Sequence, residues 1–181
     1  MKTRLIMLGL LCAANLAHAD LSGKGREKKT GNYVDEGPWQ EQVLPLPSYG
    51  GMDWVELDKP ATISSRLFID RKTLLLATDR TVRFTLLQLS SGGIENISHE
   101  GVHCGERTVR SFAYGDTVNK RWIASNRGEW RKLDGNNQVM RTVVVALCPD
   151  HTPPLTSEEL SLNLTRASTA PGPQKIVPIR K

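Results

Sequence analysis

The sequence predicts an α+β domain, mainly antiparallel sheet, with one or two helices near its C-terminal part. Three observations predict it. Short apolar or alternating runs recur between residues 66 and 114, a Ser-Ser-Gly-Gly break turns two of them back on each other, and two helix-start signals stand near the C-terminal end.

The first 19 residues fall outside that domain. Lys2 and Arg4 form a positive leader, Leu5 to Ala14 an apolar stretch, and Ala17-His18-Ala19 supplies small residues where a signal peptidase cuts. The stretch is short of the about 20 residues that span a bilayer. We expect a cleaved secretory signal, a mature chain starting at Asp20, and a periplasmic location. Lipidation at Cys12 is the weaker reading, because Leu11 stands where a lipobox needs a small residue.

Loss of residues 1–19 removes two basic and no acidic residues, so the formal charge falls from +5 to +3. That excess is small and no basic module accompanies it, which argues against nucleic-acid binding. Cys104 and Cys148 remain. An even pair in an exported chain reads as a disulfide, here closing a loop of 44 residues.

Residues 20–32, DLSGKGREKKTGN, are polar and Lys-rich, an expected disordered basic arm. One globular domain is expected over 33–165. It opens with a strap from Tyr33 to Pro60, in which Trp39, Tyr49 and Trp54 stand among prolines that exclude regular helix. Arg66–Asp70 and Lys72–Ala77 are runs of strand length. Val82, Phe84 and Leu86 then alternate with Thr81, Arg83 and Thr85, as on a half-buried strand.

Ser90 to Gly93 breaks the chain before Ile94–Cys104 returns, a hairpin signal. A loop of four residues places Leu89 opposite Ile94, Phe84 opposite His99 and Arg83 opposite Glu100. It predicts a cross-strand ion pair between Arg83 and Glu100, and a core face of Val82, Phe84, Leu86, Ile97, His99 and His103. An odd loop length would exchange the faces.

Thr108–Tyr114 alternates again, and Trp122 and Trp130 flank a polar loop. Gln138–Cys148 is ambiguous. Val143-Val144-Val145 favours strand, whereas Met140, Val143, Val144 and Leu147 lie on one helical face behind Asn137 as N-cap. We read it as helix. Thr156-Ser157-Glu158-Glu159 is a capping box that starts a second short helix. Residues 166–181 are Pro-rich and basic, an expected disordered tail.

His99-Glu100-Gly101-Val102-His103 matches H-E-x-x-H, whose zinc chemistry requires a helix so that both imidazoles reach one metal. On the return strand of a hairpin the two histidines would stand roughly 13 Å apart and Glu100 would point the other way. A zinc hydrolase using His99 and His103, with Glu100 as base, is therefore the alternative function and not the leading one. No phosphate loop, dinucleotide fingerprint or nucleophile elbow is present, and we expect no cofactor.

The opening Asp79-x-x-Val82-Arg83-Phe84-Thr85-Leu86, Asn96, the close Glu100-Gly101-Val102-x-Cys104, Ala113-Tyr114-Gly115, Trp122, Trp130 and Cys148-Pro149 resemble the cryptic neisserial protein one-like family of exported bacterial proteins. The resemblance runs from Trp39 to Pro149. It implies a small Gram-negative envelope protein and carries no established activity with it. In that family's pattern an aromatic stands at 99 and a basic residue at 103, so both histidines depart from it. The resulting expectation is a monomeric, non-catalytic binding or accessory protein, its partner an envelope protein or cell-wall component. The candidate contact surface is Trp39, Tyr49, Trp54, Trp122 and Trp130.

Overall fold

Every strand among the described residues joins one antiparallel sheet. A computed structural model describes residues 38–126 and 128–168. The expected signal segment with Cys12, the basic arm, residues 33–37 and the tail from 169 onward lie outside the described residues. The strands are β1 Trp54–Glu56, β2 Arg66–Asp70, β3 Leu75–Leu76, β4 Val82–Leu89, β5 Glu95–His103, β6 Thr108–Asp116, β7 Arg121–Ala124 and β8 Arg131–Lys132, followed by helices α1 Gln138–Leu147 and α2 Ser157–Arg166. Their order across the sheet is β1-β2-β4-β5-β6-β7, with β3 also pairing β4 and β8 also pairing β6. The architecture is α+β, a mainly antiparallel sheet with two helices near the C-terminal part.

Both helices begin where side chains satisfy backbone donors. Asn137 accepts from the Met140 amide at 3.0 Å, and Thr156 accepts from the Glu159 amide at 3.2 Å. Helix wins over strand in α1 because its stripe of Met140, Val143, Val144 and Leu147 is buried against the sheet, and packing outweighs the strand preference of three valines. Lys72–Ala77 is not one strand: a 3₁₀ turn at Arg71–Thr73 comes first, and only Leu75–Leu76 pairs. Arg166, Ala167 and Ser168, expected in the tail, belong to the fold; Asp58 donates to the Ala167 carbonyl at 2.8 Å and Leu57 bridges Ser168.

The hairpin register differs from the expected one. Leu89 faces Glu95, Arg83 faces Gly101, Phe84 faces Glu100 and Thr85 faces His99. The cause is loop parity. The Ser90 amide still donates to the Ile94 carbonyl at 2.9 Å, so the connection proper is Ser91-Gly92-Gly93, with Gly93 in the left-handed region at φ 80°. An odd loop moves the strand by one residue and exchanges its two faces. Arg83 and Glu100 therefore lie on opposite sides of the sheet and form no pair.

One face carries Val82, Phe84, Leu86, Val102 and Val109 and packs on α1 and α2. Cys104, just past β5, is disulfide-bonded there to Cys148, the C-cap of α1, with Cα atoms 5.9 Å apart. The second face carries Phe68, Leu87 and Ile97 under Tyr49, Trp54 and Trp122. The proline-rich segment 38–53 crosses this second face without regular structure.

Candidate functional site

The second face is held by Arg83, whose side chain is buried. Opposite it stands Gly101, which offers no side chain, so the guanidinium lies over the Phe112 ring at 4.1 Å and the Trp130 ring at 5.2 Å. It pairs with Glu41 at 3.2 Å and with Asp79 at 3.3 Å. Glu41 also pairs with Arg110. Burial by itself pushes the Asp79 carboxyl up, but hydrogen bonds from Thr81 and the Gln42 amide, with Arg83 beside them, hold it below the usual range. Trp39 donates to the Asp79 carbonyl at 2.8 Å, and Trp122 donates to the Pro47 carbonyl at 2.7 Å.

Those contacts consume most of the expected aromatic surface. Trp39 meets His103 and Trp130 edge-on, at 5.4 and 5.6 Å between ring centres, and Tyr49 meets Trp122 at 5.0 Å. Trp54 packs with the same layer. Of these five aromatics only Trp39 is exposed, at 45 %. The strap is fastened to the sheet by the residues expected to form a contact surface.

The two histidines share this face and do different things. His99 is buried between Phe112 and Trp122, with Nδ1 at 3.3 Å from the Thr85 hydroxyl. Burial, aided by the nearby Arg83 charge, lowers its pKa to about 4. His103 accepts from the Glu106 amide at 3.2 Å. Glu100 lies on the other face. No group of three or more His, Cys, Asp or Glu side chains among the described residues is arranged to hold a metal ion, so His99, His103 and Glu100 do not fit the zinc site their spacing suggests.

Glu100 has the more unusual setting. It is 5 % exposed on the helix-bearing face and shares a cavity with the start of α1. The sheet and the first turn of α1 border a cavity of about 480 Å³, lined by Gln88 from β4, Glu95, Asn96, Ser98 and Glu100 from β5, Ser111 and Tyr114 from β6, Arg131 from β8, and Asn137 and Met140 at the start of α1. Burial raises the Glu100 pKa, opposed by hydrogen bonds with Ser111 and Ser98 and by the Arg131 charge. A bulge in β6 makes this arrangement. His99 pairs Ala113 but Glu100 pairs Ser111, which leaves Phe112 without a partner residue. The shift sets Ser111 beside Glu100 and sends Phe112 to Arg83 on the opposite face.

Of these lining groups only Glu100 stood among the site residues expected from sequence. Ser98, Ser111, Gln88, Asn96 and Arg131 were missed, although one signal was available. Asn96, Ser98 and Glu100 recur at every second position, a polar stripe along one face of the strand.

A wider hollow of about 900 Å³ lies between α1, α2 and residues 58–62. Its cations are partly committed, Lys59 donating to the Ile63 carbonyl and Arg141 to the Gly135 carbonyl. Its one buried polar side chain, Asn163, donates to the Leu147 carbonyl. It gathers no buried ionisable group, so the smaller cavity is the better candidate for recognition.

Among the described residues no helix is long and apolar enough to cross a membrane. No solved structure matches the chain. It is 25% identical over 167 residues to Cryptic neisserial protein 1 of Neisseria gonorrhoeae (strain ATCC 700825 / FA 1090), an alignment covering 82% of each chain. The model of the CNP1-like family matches residues 34–165, which take in the strap, all eight strands, α1, the disulfide and nearly all of α2, and the chain belongs to that family.

Proposed function

We propose that this protein is an exported binding module of the bacterial envelope, acting without catalysis, and that its ligand site is the cavity around Glu100. The observation that carries the reading is the buried carboxylate itself. A carboxylate removed from water costs free energy unless it is fully paired, and no core-packing need accounts for one at the floor of an open cavity lined by Gln88, Asn96, Ser98, Ser111 and Arg131. Export is supported by the leader Lys2 to Ala19 and by the bond between Cys104 and Cys148, which suits an oxidising compartment. The partner delivering or receiving the ligand is an envelope protein or cell-wall component.

Two measurements test this. Cell fractionation is expected to find a chain lacking residues 1–19 in the periplasm; an intact chain in the cytosol contradicts export. Native mass spectrometry of protein purified from its own envelope is expected to show a small-molecule adduct that Glu100→Gln loses. An adduct that survives the substitution places the ligand elsewhere.

A further inference from the structure

The cavity is electrically two-sided. Glu100 supplies the buried negative group, while Glu95, the second carboxylate on the lining, lies with Ile97 and His99 on the opposite face of β5 and acts on Tyr49 there; Arg131, one residue along β8 from Lys132, supplies a positive group. The Arg131 side chain makes no ion pair or hydrogen bond among the described residues, and its charge acts on Glu100 only through space. The first turn of α1, with Asn137 and Met140 on the cavity wall, adds the positive end of a helix on the Arg131 side of the balance. Between the two charges lie Ser98, Ser111, Asn96 and Gln88, able to donate and accept, and the apolar side chains of Leu86, Val109 and Val139.

Resting on the reading of this cavity as a ligand site, we infer that its ligand is a small zwitterion, an amino acid or a short peptide, bound with its ammonium group on Glu100 and its carboxylate on Arg131. An ammonium group is the complement that a buried carboxylate lacks when its only partners are serine hydroxyls. A planar guanidinium with free donors is the usual partner of a carboxylate. A ligand with only one charge would leave one of the two protein groups uncompensated, and that omission is what gives selectivity. A volume of about 480 Å³ falls in the range of small-molecule sites.

The test uses the mature chain and three matched probes, L-alanyl-L-alanine, its N-acetyl form and its C-terminal amide, followed by amide chemical shifts in NMR titrations. The free dipeptide is expected to move the amides of Ser98, Glu100, Ser111 and Arg131. Each blocked form is expected to bind at least about tenfold more weakly, the loss from removing one charged hydrogen-bond pair. Glu100→Gln and Arg131→Gln should each weaken the free dipeptide by a similar factor, with unfolding midpoints showing that both variants fold. Equal binding of a blocked form, or no movement of these amides at millimolar free dipeptide, overturns the zwitterion. If the probes fail while the native adduct still depends on Glu100, the ligand class alone is wrong. If the adduct is independent of Glu100 as well, the cavity reading falls with it.

Discussion

Gly101 lies directly beneath the guanidinium of Arg83. A Cβ at Gly101 would stand 3.0 Å from Nη1 of Arg83, 2.8 Å from Cε2 of Phe112 and 3.1 Å from the Trp130 ring. The Glu100-Gly101 pair thus serves both faces of the sheet at once, the glycine making room for a stacked cation and the glutamate lining the cavity behind it. Gly101→Ala is expected to lose about 1–3 kcal/mol of stability through overpacking, read as a lowered urea midpoint. An unchanged midpoint would mean that Phe112 and Trp130 move aside without cost.

Arg83 compensates Asp79, whose side chain is 2 % exposed. Removing the cation leaves that carboxylate buried and unpaired, and Arg83→Met is expected to cost about 3–5 kcal/mol. Arg83→Lys should recover only part of this, because an ammonium group cannot reproduce a guanidinium that both stacks and pairs. Limited proteolysis within the strap should accelerate in both variants, since Glu41 keeps Arg110 but loses or weakens its contact with residue 83. Equal cleavage rates would show that the strap is held by its aromatics alone.

The bond between Cys104 and Cys148 closes a loop of 44 residues. The chain-entropy account gives it about 4 kcal/mol. Replacing both cysteines with serine is expected to lower stability by up to that amount, and dithiothreitol should lower the wild type without affecting the variant. A variant as stable as the wild type would mean that packing of α1 on β4 and β5 suffices.

His99 is neutral in the folded protein because its pKa is lowered from 6.5 to about 4. A group whose folded pKa is depressed takes up protons more readily when unfolded, so its contribution is present above about pH 6.5 and is lost as pH falls towards about 4. At about 1.4 kcal/mol per pH unit the loss is at most about 3–4 kcal/mol. Glu100, with its pKa raised, changes stability in the opposite sense, so the His99 effect is isolated by comparing wild type with His99→Phe across this window. The phenylalanine variant is expected to lose less stability on acidification. Parallel curves would show that the imidazole is reached by water.

Much of the fold could be read from local sequence. Asn137 and Thr156 announced both helices through the donors they satisfy, and the pair Cys104 and Cys148 announced the crosslink. Register could not be read, because it hung on whether Ile94 belonged to the loop, one residue whose placement exchanges the faces of Arg83 and Glu100. The cavity was harder still. Its partners come from β4, β5, β6, β8 and α1, and the bulge at Phe112 that sets Ser111 beside Glu100 leaves no local sequence mark.

On the proposed reading Glu100 is kept for binding and not for folding. Its raised pKa means that the carboxyl group contributes stability below its unfolded value of 4.5, and that this contribution is lost as pH rises through the folded value, so at neutral pH the ionised group opposes folding. The most direct measurement is the neutral-pH unfolding free energy of Glu100→Gln beside its retention of the native adduct. Stability is expected to rise by about 0.5–2 kcal/mol while the adduct is lost, the exchange typical of a group held for function. A drop of about 2 kcal/mol or more would contradict the account and make Glu100 a structural member of the sheet.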